Sequence, residues 1–178
     1  MPEELNQPQN QWDPDKLIQG HYQGVWRYLR AIGCPIHLAD DLAQETFMAV
    51  LKRPFQHNSE YSTAAYLRRV AFHLLLEYKR KYGNVGLTDQ AELLDRYWTR
   101  WAGADASGDR IIDVLKDCFK RLSARAQKSL RMRFEDQATR EQIASELQIT
   151  ENGVKNLQQR AKAHLRQCLE EKLGTPDQ

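Results

Sequence analysis

Between positions 15 and 81 the apolar residues recur every three or four positions and almost never alternate, which is the period of an amphipathic helix and not of a strand. This pattern predicts helices at about 15–32, 36–53 and 61–82. They are separated by Gly33-Cys34-Pro35 and by the stretch PFQHNSEYS from Pro54, where proline and small polar residues break the period. A second helical set is predicted at about 110–121, 123–134, 139–147 and 151–171. The fold class is therefore all-α. It is expected as a flexible N-terminus at 1–14, two small helical domains at 15–85 and 110–173, a flexible linker at 86–109 and a tail at 174–178. The linker's middle can form a short helix with Leu87, Ala91, Leu94, Trp98 and Trp101 along one side. Two tryptophans are costly to leave in water, so they are expected to pack on a domain or a partner.

The most specific pattern lies near the C-terminus, in TREQIASELQITENGVKNLQQRAKAHL. Thr139 can cap a short helix with Ile143, Ala144 and Leu147 on its inner face. Gln148 and Ile149 turn the corner, and Thr150 can cap a longer helix with Val154, Leu157, Ala161 and Leu165 inside. Short helix, tight turn and longer helix make a helix-turn-helix. The outward positions are Lys155, Asn156, Gln159 and Arg160, with Lys162 further round. Asn and Gln can pair with adenine and Arg and Lys with guanine, so this face suits a major groove. A plain solvated face would look similar, but Ile-Ala-x-x-Leu before the turn favours DNA.

Two N-terminal helices divide by phase. In YSTAAYLRRVAFHLLLEYKRKYG, the residues Leu67, Val70, Ala71, Leu74 and Tyr78 share a predicted inner face, and Phe72 and Leu76 lie on a third side. Tyr66, Arg69, His73, Glu77 and Arg80 fall on a separate stripe that ends in Lys79-Arg80-Lys81. That stripe can stack on unpaired bases and neutralise phosphates, or it can be a basic helix end complementing its own dipole. In DDLAQETFMAVL, Ala39, Leu42, Ala43, Thr46, Phe47, Ala49 and Val50 are predicted to face inward. Asp41, Gln44, Glu45 and Met48 then project outward with Lys52. Acids early in a helix can serve its dipole, but an outward Glu45 beside an exposed Met48 is poorly explained that way.

Composition adds limits. The 178 residues, 28% charged and 41% hydrophobic, can bury one moderate core or two small ones. A net charge of +2 permits nucleic-acid binding without arguing for it, so any basic surface must be local. Cys34, Cys118 and Cys168 are far apart, odd in number and without CxxC spacing, so reduced thiols are expected, not a disulfide framework or a zinc site. MPEELNQPQNQWDPD lacks a secretory pattern and no apolar run reaches membrane-spanning length, so an intracellular, cytoplasmic chain without membrane insertion is expected.

The segment Leu122–Leu169 resembles region 4, the promoter-reading domain of bacterial sigma factors of the extracytoplasmic-function type, at positions including Arg125, Ile143, Ala144, Leu147, Val154, Lys155, Arg160 and Leu165. It departs from the family pattern at Gln148, where glycine is usual. Asn152-Gly153 stand for Gly-Thr, Leu157 for an arginine and Gln158 for an apolar residue. DDLAQETF and AYLRRVAFHLLLEYKRK, within residues 15–81, look like region 2 of the same family. His73 stands where asparagine is common, and Tyr66 where tryptophan is. The resemblance implies binding to core RNA polymerase and to promoter DNA, and allows an anti-sigma partner. By position it implies a minus-thirty-five site at Thr150, Asn152, Lys155, Asn156, Gln159 and Arg160. A minus-ten site would comprise Tyr61, Tyr66, Arg69, His73, Glu77 and Arg80, with loop residues around 57–61. A core-polymerase face would comprise Asp41, Gln44, Glu45 and Met48. It implies no catalysis, cofactor, metal or small-molecule substrate.

Three rivals remain at this level, the weakest being a protein-only adaptor that has kept the fold but lost DNA binding. His37, Asp41 and Glu45 lie four apart and could present metal ligands, but the partner Glu-x-x-His motif of carboxylate-bridged bundles is missing, as are a phosphate loop and a nucleophile elbow. A repressor or response-regulator output module, independent of core polymerase, fits the helix-turn-helix equally well. It leaves the basic-aromatic third helix and the acidic second helix unexplained.

Overall fold

The computed structural model describes residues 13–52, 59–83, 91–103 and 106–175, and all the regular structure among them is helical. The chain divides into two compact units, up to Gly108 and from Asp109 onward.

The first unit holds α1 (Pro14–Ala31), α2 (Ile36–Leu51), α3 (Glu60–Tyr82) and α4 (Ala91–Trp101). Local chemistry sets the helix starts. The Asp13 carboxylate accepts a hydrogen bond from the Asp15 N–H ahead of Pro14, and Ser59 and Ser62 form a reciprocal capping box for α3. Tyr28 and Leu29 of α1, Ile32 just beyond it, Leu42 and Val50 of α2, and Leu67 and Leu75 of α3 are all buried where the three helices pack on one another. The inward face of α2 is as expected except that Ala49 is half-buried. The inward face of α3 differs: Thr63, Ala64, Leu67, Ala71 and Leu75 are buried, while Val70, Leu74 and Tyr78 are only half-buried. Leu74, Leu75 and Leu76 are alike in hydrophobicity, so their pattern carries no phase; packing against α1 and α2 selects the row at four-residue spacing.

The described part of the segment expected as a linker is largely helical and packs on this unit. Trp98 and Trp101 of α4 are buried. The Tyr28 hydroxyl donates to the Asp95 carboxylate at 2.7 Å, and Arg68 Nε lies 3.3 Å from the same carboxylate. Burial, reinforced by that neighbouring carboxylate, raises the Tyr28 phenol pKa, so Tyr28 remains a donor. Beyond α4 the chain folds back over Trp98. Gly108 has φ +77°, and a Cβ there would sit 2.6 Å from the indole, so only glycine fits. Arg27 then fixes the return strap by donating to the Ser107 carbonyl at 3.2 Å. Leu87 lies outside the described residues. Asp95→Ala removes the acceptor of a buried hydroxyl and the partner of Arg68; it is expected to destabilise the first unit by about 1.5 kcal/mol, read as a lowered urea midpoint with unchanged slope.

The second unit holds α5 (Asp109–Lys120), α6 (Ala124–Phe134), α7 (Arg140–Leu147) and α8 (Glu151–Leu173). Ser123, Thr139 and Thr150 each cap the helix that follows, and Thr139 and Gln142 form a capping box. Two apolar clusters divide the work. Ala138, Ile143, Ala144, Leu147 and Val154 join α7 to the start of α8; Ala126, Leu130 and Ala161, covered by Phe119, Leu122 and Leu165, join α5 and α6 to its later turns.

The cysteine expectation needs correction. Cys118 and Cys168 form a disulfide, with Cα atoms 6.0 Å apart, and only Cys34 is a free thiol. Fifty residues separate the pair, and only the side-by-side packing of α5 and α8 brings them together, so sequence spacing could not reveal it. Closing a loop of that length contributes about 4 kcal/mol in the chain-entropy description.

Candidate polymerase and nucleic-acid interfaces

The turn of the helix-turn-helix is built on a left-handed residue. Gln148 has φ 52° and ψ 49°, and its N–H reaches the carbonyls of Ala144 and Ser145 at the end of α7. Ile149 N–H closes on the Ala144 carbonyl at 3.0 Å, and Arg125 reaches from α6 to the Leu147 carbonyl at 2.6 Å. The last carbonyls of α7 are thereby satisfied, as a helix end requires. A Cβ in this conformation costs roughly 1–2 kcal/mol, partly offset by the entropy glycine would lose on folding. Gln148→Gly is therefore expected to stabilise the second unit by about 0.5–1 kcal/mol, seen as a thermal midpoint roughly 4 °C higher.

On α8, Asn152, Lys155, Asn156, Gln159 and Arg160 are all exposed along one side, and Thr150 is exposed at its start. The Thr150 oxygen already accepts the Gly153 N–H at 3.0 Å, which leaves its hydroxyl proton and one lone pair for a ligand. Lys162 is turned away: its ammonium stands 5.4 Å over the Phe134 ring. Gln158 explains its own departure from the family pattern. Its amide donates to the carbonyl and hydroxyl of Ser129, a fully buried residue of α6, at 3.3 and 3.1 Å. The polar pair replaces an apolar contact and fixes the rotation of α8 against α6.

On α3, Arg69, His73, Glu77 and Arg80 are exposed and Tyr66 is half-buried, so the mixed stripe faces solvent. Tyr61 is exposed at the helix start, about 28 Å along the axis from Arg80. The loop positions His57 and Asn58 lie outside the described residues. Tyr82, outside the predicted stripe, is exposed; its ring is tilted against that of Tyr78 with centroids 4.6 Å apart, and the Lys81 ammonium stands 5.1 Å above it. Its signal was present, since an aromatic directly follows Lys79-Arg80-Lys81.

On α2, Asp41, Gln44, Glu45, Met48 and Lys52 are exposed, and Met48, at 56% exposure, is among the most open apolar side chains described. Asp40 does not belong to this face; its carboxylate accepts the Trp26 indole N–H at 2.6 Å. His37, Asp41 and Glu45 form an exposed row. Among the described residues no group of three or more His, Cys, Asp and Glu is placed to hold a metal ion.

Sigma-70 region 2 matches residues 17–85 and sigma-70 region 4 matches residues 112–165, in that order and over more than half the chain. The chain belongs to the sigma-70 family. The pairing of these two regions is typical of sigma factors of the extracytoplasmic-function type. Region 2 of this sigma factor takes in most of α1 and all of α2 and α3, and region 4 takes in α6, α7 and most of α5 and α8. No curated protein matches the sequence significantly. Among solved structures, a chain of the RsbN–BldN complex matches with 20% identity over 87% of this chain and 90% of that one, at a TM-score of 0.32. Among the described residues no helix of this sigma factor is long and apolar enough to cross a membrane.

Proposed function

We propose that the protein binds core RNA polymerase in the cytoplasm and directs it to promoters. Region 4 reads a minus-thirty-five element through Thr150, Asn152, Lys155, Asn156, Gln159 and Arg160, with the recognition helix in the major groove. Region 2 holds melted minus-ten bases through Tyr61, Tyr66, Arg69, His73, Glu77 and Arg80. There, exposed cations meet phosphates, and aromatic faces receive bases that unstack easily. Asp41, Gln44, Glu45 and Met48 contact core polymerase. An anti-sigma factor would act by covering one of these faces.

The observation that carries this reading is the separation of chemistries within region 2. An acidic, methionine-bearing face on α2 would repel DNA phosphates, whereas the stripe on α3 is basic and aromatic; such a domain suits a protein partner on one side and nucleic acid on the other. Neither DNA contact needs to be tight alone, because tethering both through polymerase raises the effective concentration of the second. Gel filtration with purified core enzyme tests the reading. Co-elution at low salt is expected, while a protein that binds a palindromic site and ignores core would be a repressor.

A further inference from the structure

The bond between Cys118 and Cys168 is out of keeping with a protein that works beside polymerase. Reducing compartments keep thiols reduced, and disulfides found there are usually transient or sensing. The compartment is the one element taken from the proposed function. The surroundings of the bond suit exchange. Cys168 is half-buried, and both sulfur-bearing residues line an open groove of about 610 Å³, wide enough to admit a thiol. Arg121 and Arg160 border the same groove together with Glu171, and cations near a cysteine favour its thiolate.

The position of the bond is as telling as its chemistry. Cys118 is the only buried residue of α5, whose other apolar side chains are half-covered, so the covalent tie is the one fully buried anchor of this helix. The cluster that locks α7 to the first turns of α8 includes no residue of α5. Breaking the bond therefore acts on α5 and the later turns of α8, and leaves the helix-turn-helix packing in place. Losing the Phe119 and Leu122 cover would expose Leu130, Ala161 and Leu165.

We propose that Cys118–Cys168 is a reversible thiol–disulfide site that seats α5 when oxidised and releases it when reduced by a cellular dithiol. One thiolate of the dithiol attacks Sγ of Cys168, the less buried of the two residues, and the S–S bond breaks with its electron pair leaving on Cys118 Sγ, which takes up a proton. The second thiolate of the dithiol then attacks the mixed disulfide and expels Cys168, which is protonated in turn. Two electrons pass to the protein, and the reductant leaves as its own disulfide.

The test uses the full chain equilibrated in glutathione buffers of graded oxidised-to-reduced ratio, with alkylation mapped by mass spectrometry and amide exchange followed in parallel. Cys34 is an internal control, because it is buried in the first unit and burial pushes its thiol up to about 11. Cys118 and Cys168 are expected to become alkylated together within the glutathione range while Cys34 stays unlabelled. On reduction, α5 amides should exchange roughly 30-fold faster or more, the lower end of what losing such a crosslink does, and Ile143 and Ala144 should change little. A Cys118→Ser, Cys168→Ser double variant should show the fast α5 exchange in every buffer. Three results would each overturn the proposal: a bond that resists the whole glutathione range, one that does not re-form on oxidation, or α5 exchange that ignores its state. Core binding measured on the same samples separates this outcome from the sigma reading, since either can fail while the other stands.

Discussion

Glu45→Lys is expected to weaken binding to core RNA polymerase by at least about 100-fold while leaving the fold unchanged. Glu45 is exposed in the middle of the outward α2 face, one turn from Asp41 and adjacent to Gln44 and Met48, so reversing its charge disturbs no buried contact. Within an interface the cost is more than a lost pair. A lysine in place of the acid turns an attraction into a like-charge clash with whatever cation it met, and such juxtapositions cost several kcal/mol. Met48→Ala should act in the same direction more weakly, through lost apolar area at the same patch. Fluorescence anisotropy of labelled protein against core measures both, with circular dichroism as the check on folding. Wild-type affinity in Glu45→Lys would remove the α2 face from the polymerase interface.

The second large effect is expected from Lys155→Ala combined with Arg160→Ala on the recognition helix. Each well-placed base pairing is worth about 1–3 kcal/mol of discrimination, so the pair should reduce use of the minus-thirty-five element by roughly 100-fold or more. Both side chains are exposed, whereas the packing of α8 rests on Val154, Ala161 and the Gln158–Ser129 link. Core affinity should therefore stay at the wild-type value, and a parallel loss would mean that this face meets protein. Gln158→Leu offers a contrast: with no groove contact of its own, it should alter promoter use only by changing how α8 is held.

The helix-turn-helix was legible because every local signal agreed: caps at Thr139 and Thr150, an apolar inner face, and a turn of the right length. The outward face of α2 was legible because its apolar positions have a single phase. The inner face of α3 was not, since three consecutive leucines erase the phase and neighbouring helices choose among them. Two features depended on contacts distant in sequence. Packing of α4 on the first unit rests on Tyr28 meeting Asp95, 67 positions away, although two tryptophans in one short segment hinted at it. The Cys118–Cys168 bond left no trace in spacing at all. Gln148 was visible as a departure from a glycine, and its left-handed backbone gives that departure a cost.

The most direct test is transcription by purified core enzyme with the full-length protein on fragments of the source genome, followed by mapping of transcript 5′ ends. Discrete starts absent with core alone are expected, preceded by two shared sequence elements at minus-ten and minus-thirty-five spacing, and lost together with Glu45→Lys. Transcripts no different from those of core alone, under conditions where the protein is folded, would contradict the proposed function.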